Sequence, residues 1–288
     1  PRAIWQLLRV PNLFTAAADV LAGFLFVGAG REQFAVLPPL LAASVCLYAG
    51  GVVMNDVCDA NRDAIERPSR PIPSGAISRR QAAWLGAILL GMGASLCAKV
   101  GGPAFGLGLT LTACIVAYDV FLKRTPLAPA TMGACRALNL LLGMSVAGSW
   151  HSSMGIYAAA LMWLYVASVT FFARFEAGDT TRTRLRIGAA GIMVAVIGLV
   201  GLQRVVERID IWYLLLVGVL LGQIAVPTLS AIKTCEHAQI QQAVRTAVLS
   251  IILFDACLVF ATRGALWTAT VLLLLVPSIL LAERYRVT

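Results

Sequence analysis

Ten stretches of this chain are long and apolar enough to cross a bilayer, and short polar segments separate them. A spanning helix needs roughly 20 mostly apolar residues. Such runs lie at 12–30, 35–57, 81–100, 104–122, 127–148, 155–174, 187–203, 211–231, 243–262 and 265–282. They predict an all-α, polytopic membrane bundle of nine or ten transmembrane helices, folded as a single domain over residues 1–288. The last two runs are parted only by Arg263-Gly264, so one of them is expected to be short or re-entrant. The first run reads as a retained span and not a cleaved signal, because its length and flanks fit a span and more spans follow.

Composition agrees with this pattern. Hydrophobic residues make up 59% of the chain and charged residues 13%, a balance foreign to soluble domains of this length. Threading the ten runs through a bilayer puts seventeen Lys and Arg on one side and five on the other (Arg31, Lys99, Arg204, Arg208, Arg263), with Arg136 inside a span. Short loops rich in Lys and Arg stay cytoplasmic. Both termini are therefore expected in the cytoplasm, as in a multi-pass protein of a bacterial inner membrane. The net charge of +9 is largely this asymmetry and calls for no nucleic acid.

The polar residues are not spread evenly. Asn55-Asp56-Val57-Cys58-Asp59-Ala60-Asn61-Arg62-Asp63 ends the second run. On a helix Asp56, Asp59 and Asp63 stand at i, i+3 and i+7 and share one face, which Asn55 joins four residues before Asp59. Hard cations such as Mg2+ take carboxylate oxygens and keep waters or substrate phosphates as their other ligands. Arg67 and Arg70 follow in the segment Arg67-Pro68-Ser69-Arg70-Pro71-Ile72-Pro73-Ser74-Gly75, and guanidinium forks suit phosphate oxygens. The fourth run ends in Tyr118-Asp119 and Lys123-Arg124. The sixth ends in Arg174-Phe175-Glu176-Ala177-Gly178-Asp179, followed by Arg182, Arg184 and Arg186. Glu176 and Asp179, three apart, form a thinner second acidic element.

Other polar groups fall at apolar depth: Asp19, Arg136, Asn139 and Asp255. An ionisable residue there points to a cavity or a partner. Arg136 is expected either to pair with Asp19 or Asp255 or to touch substrate, and Asn12, at the start of the first run, to face an acceptor. The two histidines, His151 and His237, are too isolated for a zinc site, and the seven scattered cysteines read as packing residues. No P-loop or dinucleotide fingerprint occurs.

The motif at 55–63, the arginine-proline loop ending Pro73-Ser74-Gly75, Tyr118-Asp119 with Lys123-Arg124, and the acidic element after the sixth run together resemble the UbiA superfamily of intramembrane prenyltransferases over nearly the whole chain. The Glu-containing second motif and Cys135-Arg136-Ala137-Leu138-Asn139-Leu140-Leu141-Leu142-Gly143 resemble its EboC-like subgroup. The resemblance implies a bundle around a central cavity, with two Mg2+ ions held by two Asp-rich motifs and a prenyl diphosphate donor bound to them. Carried onto this chain, Asn55, Asp56, Asp59 and Asp63 hold the first metal, and Glu176 with Asp179 the second. Lys123, Arg67, Arg70 and Arg186 clamp the diphosphate. Tyr118 and Asp119 position the leaving group or take a proton. Beside the resemblance, their place at apolar depth makes Asn12, Asn139 and, unless it serves as a structural partner, Arg136 candidates for substrate contact. The chain departs from the family where Arg174 and Phe175 replace acid in the second motif, which lets Arg174 share in neutralising the diphosphate. The implied activity is Mg2+-dependent transfer of a prenyl group to a small-molecule acceptor within the lipid bilayer. A terpene cyclase of the same architecture, or a non-catalytic polyprenyl phosphate carrier, are the alternatives.

Overall fold

A computed structural model describes residues 2–147, 150–174, 181–205 and 210–285, and all its regular structure is helical. In chain order the helices are α1 (Arg2–Leu7), α2 (Val10–Phe26), α3 (Leu37–Glu66), α4 (Arg79–Val100), α5 (Gly102–Ala117), α6 (Ala128–Met144), α7 (Ser153–Ala173), α8 (Arg182–Val205), α9 (Ile211–Thr234), α10 (His237–Leu249), α11 (Ile251–Arg263), α12 (Ala265–Leu272) and α13 (Leu275–Tyr285). Each apolar run of the sequence contains helix. Among the described residues, eight helical stretches are long and apolar enough to span a membrane, and α2 is a shorter apolar helix. The 17-residue α6 corresponds to the remaining run and carries Arg136 and Asn139. The protein is an integral membrane protein.

The last two runs are each divided. α10 passes into α11 at Ser250, whose amide still donates to Thr246 O. The Leu273–Leu274 break between α12 and α13 precedes Pro277, which has no N–H to offer the Leu273 carbonyl and whose ring crowds it.

Two helices form the centre. α11 buries nine of its residues, Ile251 to Val259, and α2 buries most of its length. A helix apolar all round belongs inside a bundle. The surrounding helices turn Trp84, Ile88, Leu109, Ile197, Val219 and Leu266 outward. So much exposed apolar surface needs lipid as its solvent. α2 and α6 lie close enough that a Cβ at Gly143 would collide with the Val20 carbonyl, and one at Gly23 with the Leu140 carbonyl. Small residues at such crossings let backbones approach and substitute packing for the hydrophobic drive that lipid does not provide.

α3 sets the depth of the site. Its 30 residues give a rod of about 45 Å at 1.5 Å per residue, longer than the roughly 30 Å hydrocarbon layer. Its C-terminal third, which carries the acid motif together with Arg62 and Glu66, is the part whose charge suits the interface and not the hydrocarbon. The 67–78 segment folds back over this end: Ile72 and Ile77 pack with Leu7, Val53, Val57 and Ala82, and the Ser74 amide donates to Arg70 O. Ser78 and Gln81 then form a reciprocal capping box that starts α4.

Candidate active site

The acid face of α3 is closed by cations from three other parts of the chain. Arg9 Nη2 donates to Asp56 Oδ1 at 2.8 Å. Arg70 Nη1 donates to Asp63 Oδ2 at 2.7 Å and reaches Asp56 Oδ1 at 3.4 Å. Lys123 Nζ lies 2.7 Å from Asp59 Oδ1, with Arg124 behind it at 3.6 Å. Lys123 also donates to Asn55 Oδ1 at 3.3 Å. Asp56 and Asp63 are buried at 5% exposure each, so these contacts are far less screened than surface pairs.

Local structure aims each cation. Arg9 sits at the α1–α2 junction with φ 46°, a left-handed conformation that costs a non-glycine residue energy and bends the chain sharply. Leu7 is buried two residues before it, and the Pro11 carbonyl accepts from Ser278 of α13 at 3.0 Å. The junction is held from both sides. Lys123 follows a π-helical turn, Tyr118–Leu122, closed by the bond from its own amide to Tyr118 O at 2.9 Å. The wider turn shifts the angular position of every residue after it, and Lys123 projects toward α3. Arg70 is set by the folded-back loop.

This cluster stands at the mouth of a cavity of about 390 Å³ whose lining includes Arg9, Asn12, Asn55, Tyr118 and Asp119 at the mouth, and Ser44, Tyr48, Arg136 and Asn139 deeper in. Its walls are apolar, with Leu47, Leu111, Ile115, Val166, Val169, Val248 and Ile251 among them. At the inner end Arg136 Nη1 donates to Asp19 Oδ2 at 2.9 Å and Nη2 to Thr15 Oγ1 at 2.8 Å. Its guanidinium carbon lies 5.0 Å from the Tyr48 ring centroid. Asn139 Nδ2 donates to Asp19 Oδ2 and to the Ala16 carbonyl, and its Oδ1 accepts from Ser44.

Of the residues singled out in the sequence, Asn55, Asp56, Asp59, Asp63, Arg70 and Lys123 converge in the ionic cluster. Asn12, Tyr118, Asp119, Arg136 and Asn139 line the cavity it caps. Arg136 takes Asp19 as its partner, and Asp255 lies fully buried beside Asp19 on α11. Arg67, Arg174 and Arg186 are exposed and make no ion pair among the described residues. Glu176 and Asp179 fall outside the described residues. Arg9, Ser44 and Tyr48 belong to the site and were not singled out in the sequence. Only Arg9 left a trace, as a charge directly before Val10-Pro11-Asn12 at a predicted span start.

Hard oxygen ligands suit the acid face for Mg2+. Among the described residues no three Asp, Glu, His or Cys side chains come close enough to cage a metal alone, but Mg2+ is commonly held by one or two carboxylates together with substrate phosphates and water. Asp56 and Asp59, one helical turn apart at the cavity mouth, meet that requirement.

Fold and site together define an intramembrane helical bundle whose apolar cavity is capped by carboxylates and cations. The chain matches the UbiA prenyltransferase family over residues 16–184, more than half its length, and it belongs to that family. It is similar to the digeranylgeranylglyceryl phosphate synthase of Methanopyrus kandleri, 33% identical over 165 residues that make up 57% of this chain and 58% of the relative. The match thus spans less than two thirds of that relative. Among solved structures, an apo UbiA homologue from Aeropyrum pernix K1 superposes with a TM-score of 0.68 at 16% identity, covering 85% of this chain and 96% of that one. A UbiA homologue from Archaeoglobus fulgidus bound to GPP and Mg2+ superposes with a TM-score of 0.61 at 14% identity, covering 89% and 99%. At these identities the structures share the fold.

Proposed function

We propose that the chain transfers a prenyl group from an isoprenoid diphosphate to a small acceptor inside the membrane, with Mg2+ at the diphosphate. The observation that carries this reading is the acid face of buried Asp56 and Asp63 and half-buried Asp59, already surrounded by Arg9, Arg70 and Lys123 at the mouth of an apolar cavity. That combination suits a ligand with a highly charged head and an apolar tail. The relatives that bear the name of a prenyl-transferring synthase, and the fold neighbour bound to GPP and Mg2+, support the same choice.

Breaking an allylic C–O bond leaves its electron pair on the diphosphate, and the rate depends on neutralising that charge in a water-poor place. Mg2+, held through Asn55, Asp56, Asp59 and Asp63, would supply Lewis-acid neutralisation of the departing charge when bound. Arg9, Arg70 and Lys123 contribute preset N–H donors. They exchange carboxylate oxygens for diphosphate oxygens as the donor arrives, so few side chains must be ordered anew. The apolar walls keep water from the electrophilic carbon, and burying the tail is worth about 0.8 kcal/mol per CH2. The acceptor forms the new bond to that carbon and loses a proton. Asp119, buried at the mouth and making no ion pair among the described residues, is placed to take it. Glu176 and Asp179 complete the proposal as ligands of a second Mg2+, with Arg174 sharing the neutralisation of the diphosphate. The asymmetry of seventeen basic residues to five supports placing the mouth and both termini on the cytoplasmic side.

The test is Asp59→Asn in purified protein with geranyl diphosphate and Mg2+. The variant is expected to stay folded and to lose diphosphate release. Activity like that of the unaltered chain removes the assignment. Release with no acceptor added favours a cyclase, and donor binding without release favours a carrier.

A further inference from the structure

The inner end of the cavity carries a polar group that donor binding does not use. A prenyl tail gains nothing from a guanidinium, yet Arg136 is 7% exposed and lines the cavity floor with Tyr48. Lipid-depth charges are retained where they hold the structure together or meet a ligand. The hydrogen bonds separate these two roles. Asn139 and Ser44 are committed to each other, to Asp19 and to the Ala16 carbonyl. Arg136 has five N–H donors, and the described bonds to Asp19 and Thr15 engage one on each terminal nitrogen. The remaining polarity of the floor and wall comes from Arg136, the Tyr48 hydroxyl and the Asn12 amide, whose side chains make no other hydrogen bond among the described residues.

Charge then decides what the floor can hold. Asp19, 0% exposed, matches Arg136 at 2.9 Å, and Asp255 lies beside it. No unmatched cation remains at this end among the described residues. An anion placed there would be stripped of water and given no net counter-charge, which low-dielectric surroundings penalise heavily. A neutral oxygen needs only N–H donors.

Position gives the length. Tyr48 precedes Asn55 by seven residues on α3, a separation of about 10 Å at 1.5 Å per residue. The diphosphate end lies at Asn55 and the floor at Tyr48. We propose that the acceptor is a neutral molecule of about 10 Å with a polar group at each end, its nucleophile at the mouth beside Asp119 and a distal hydroxyl or carbonyl oxygen accepting from Arg136. This rests on the prenyl-transfer reading and adds the acceptor class. It sets the chain apart from an acceptor that presents a phosphate or carboxylate to the cavity floor.

The experiment uses the full chain in nanodiscs with Mg2+ and the non-reacting donor analogue geranyl S-thiolodiphosphate, whose binding is measured first. Two matched probes follow, 3-(4-hydroxyphenyl)propan-1-ol and 3-(4-hydroxyphenyl)propionate, which differ in the charge of one end. The alcohol is expected to bind at least tenfold more tightly than the carboxylate, and Arg136→Lys, which keeps the charge balance but loses the guanidinium N–H donors, to weaken the alcohol about tenfold and leave the carboxylate weak. Retained binding of the analogue shows that the variant is folded. Should Arg136→Lys not fold, the comparison of the two probes on the unaltered chain decides alone. A donor analogue that binds while the carboxylate equals or outcompetes the alcohol overturns the neutral-acceptor proposal, as does binding of neither probe. Failure of the donor analogue itself to bind overturns the prenyl-transfer reading beneath it.

Discussion

Removing the Asp19 carboxylate should cost as much as truncating a large core side chain of α2. It is fully buried and accepts from Arg136 Nη1 and Asn139 Nδ2, both at 2.9 Å. Asp19→Leu would leave a guanidinium without its hydrogen-bonded counter-ion, with Asp255 the nearby buried carboxylate, and an amide without one acceptor. Deleting one partner of a buried ion pair costs about 3–5 kcal/mol, whereas replacing both with apolar residues of similar volume is often close to neutral. Asp19→Leu alone should therefore destabilise by about 3–5 kcal/mol, and Asp19→Leu with Arg136→Met by far less than the sum of the two single changes. Reversible unfolding of the micelle-bound protein by SDS, followed by circular dichroism, measures each corner of the cycle. A single variant within about 1 kcal/mol of the parent, or strictly additive changes, would refute the view that Asp19 and Arg136 act as one neutral unit.

The close crossing of α2 and α6 gives a second prediction: Gly143→Ala must move the Val20 carbonyl, and about 1–3 kcal/mol of lost stability is expected from overpacking, with an unchanged unfolding midpoint arguing against the crossing. Orientation is open to labelling. With Gly75→Cys in intact cells, an impermeant thiol reagent should leave the residue unmodified until the membrane is permeabilised, and ready modification beforehand reverses the topology. For the second acidic element, Glu176→Gln should raise the Mg2+ concentration for half-maximal activity or stop turnover, while Arg174→Ala should weaken donor binding at saturating metal. Metal dependence untouched by Glu176→Gln would favour a single-metal site.

How much of this could be read from the chain varied with the distance over which each feature is encoded. The helices were legible because an apolar run of spanning length admits almost no other structure in lipid. The acid face was legible too, since i, i+3 and i+7 spacing fixes a shared face without any tertiary information. Which arginines reach it was not. Arg67 and Arg70 are three residues apart in one proline-rich loop, and only the fold-back anchored by Ile72 and Ile77 sends Arg70 to Asp63 and leaves Arg67 exposed. Arg9 escaped notice because its contact with Asp56 spans 47 residues and depends on a left-handed backbone no local pattern announces. Arg136 had two buried carboxylates in reach on paper. The packing of α2 against α6 gave it Asp19.

The measurement closest to the central claim is a structure of this chain with geranyl S-thiolodiphosphate and Mn2+ in place of Mg2+, with the metal located by its anomalous scattering. The expected result is metal at the Asp56 and Asp59 carboxylates beside the diphosphate, Arg9, Arg70 and Lys123 turned from Asp56, Asp63 and Asp59 onto diphosphate oxygens, and the geranyl tail against the apolar wall of the cavity. A diphosphate bound away from the acid face, or a metal-free acid face still sealed by Arg9, Arg70 and Lys123 with the donor analogue in the cavity, would contradict it.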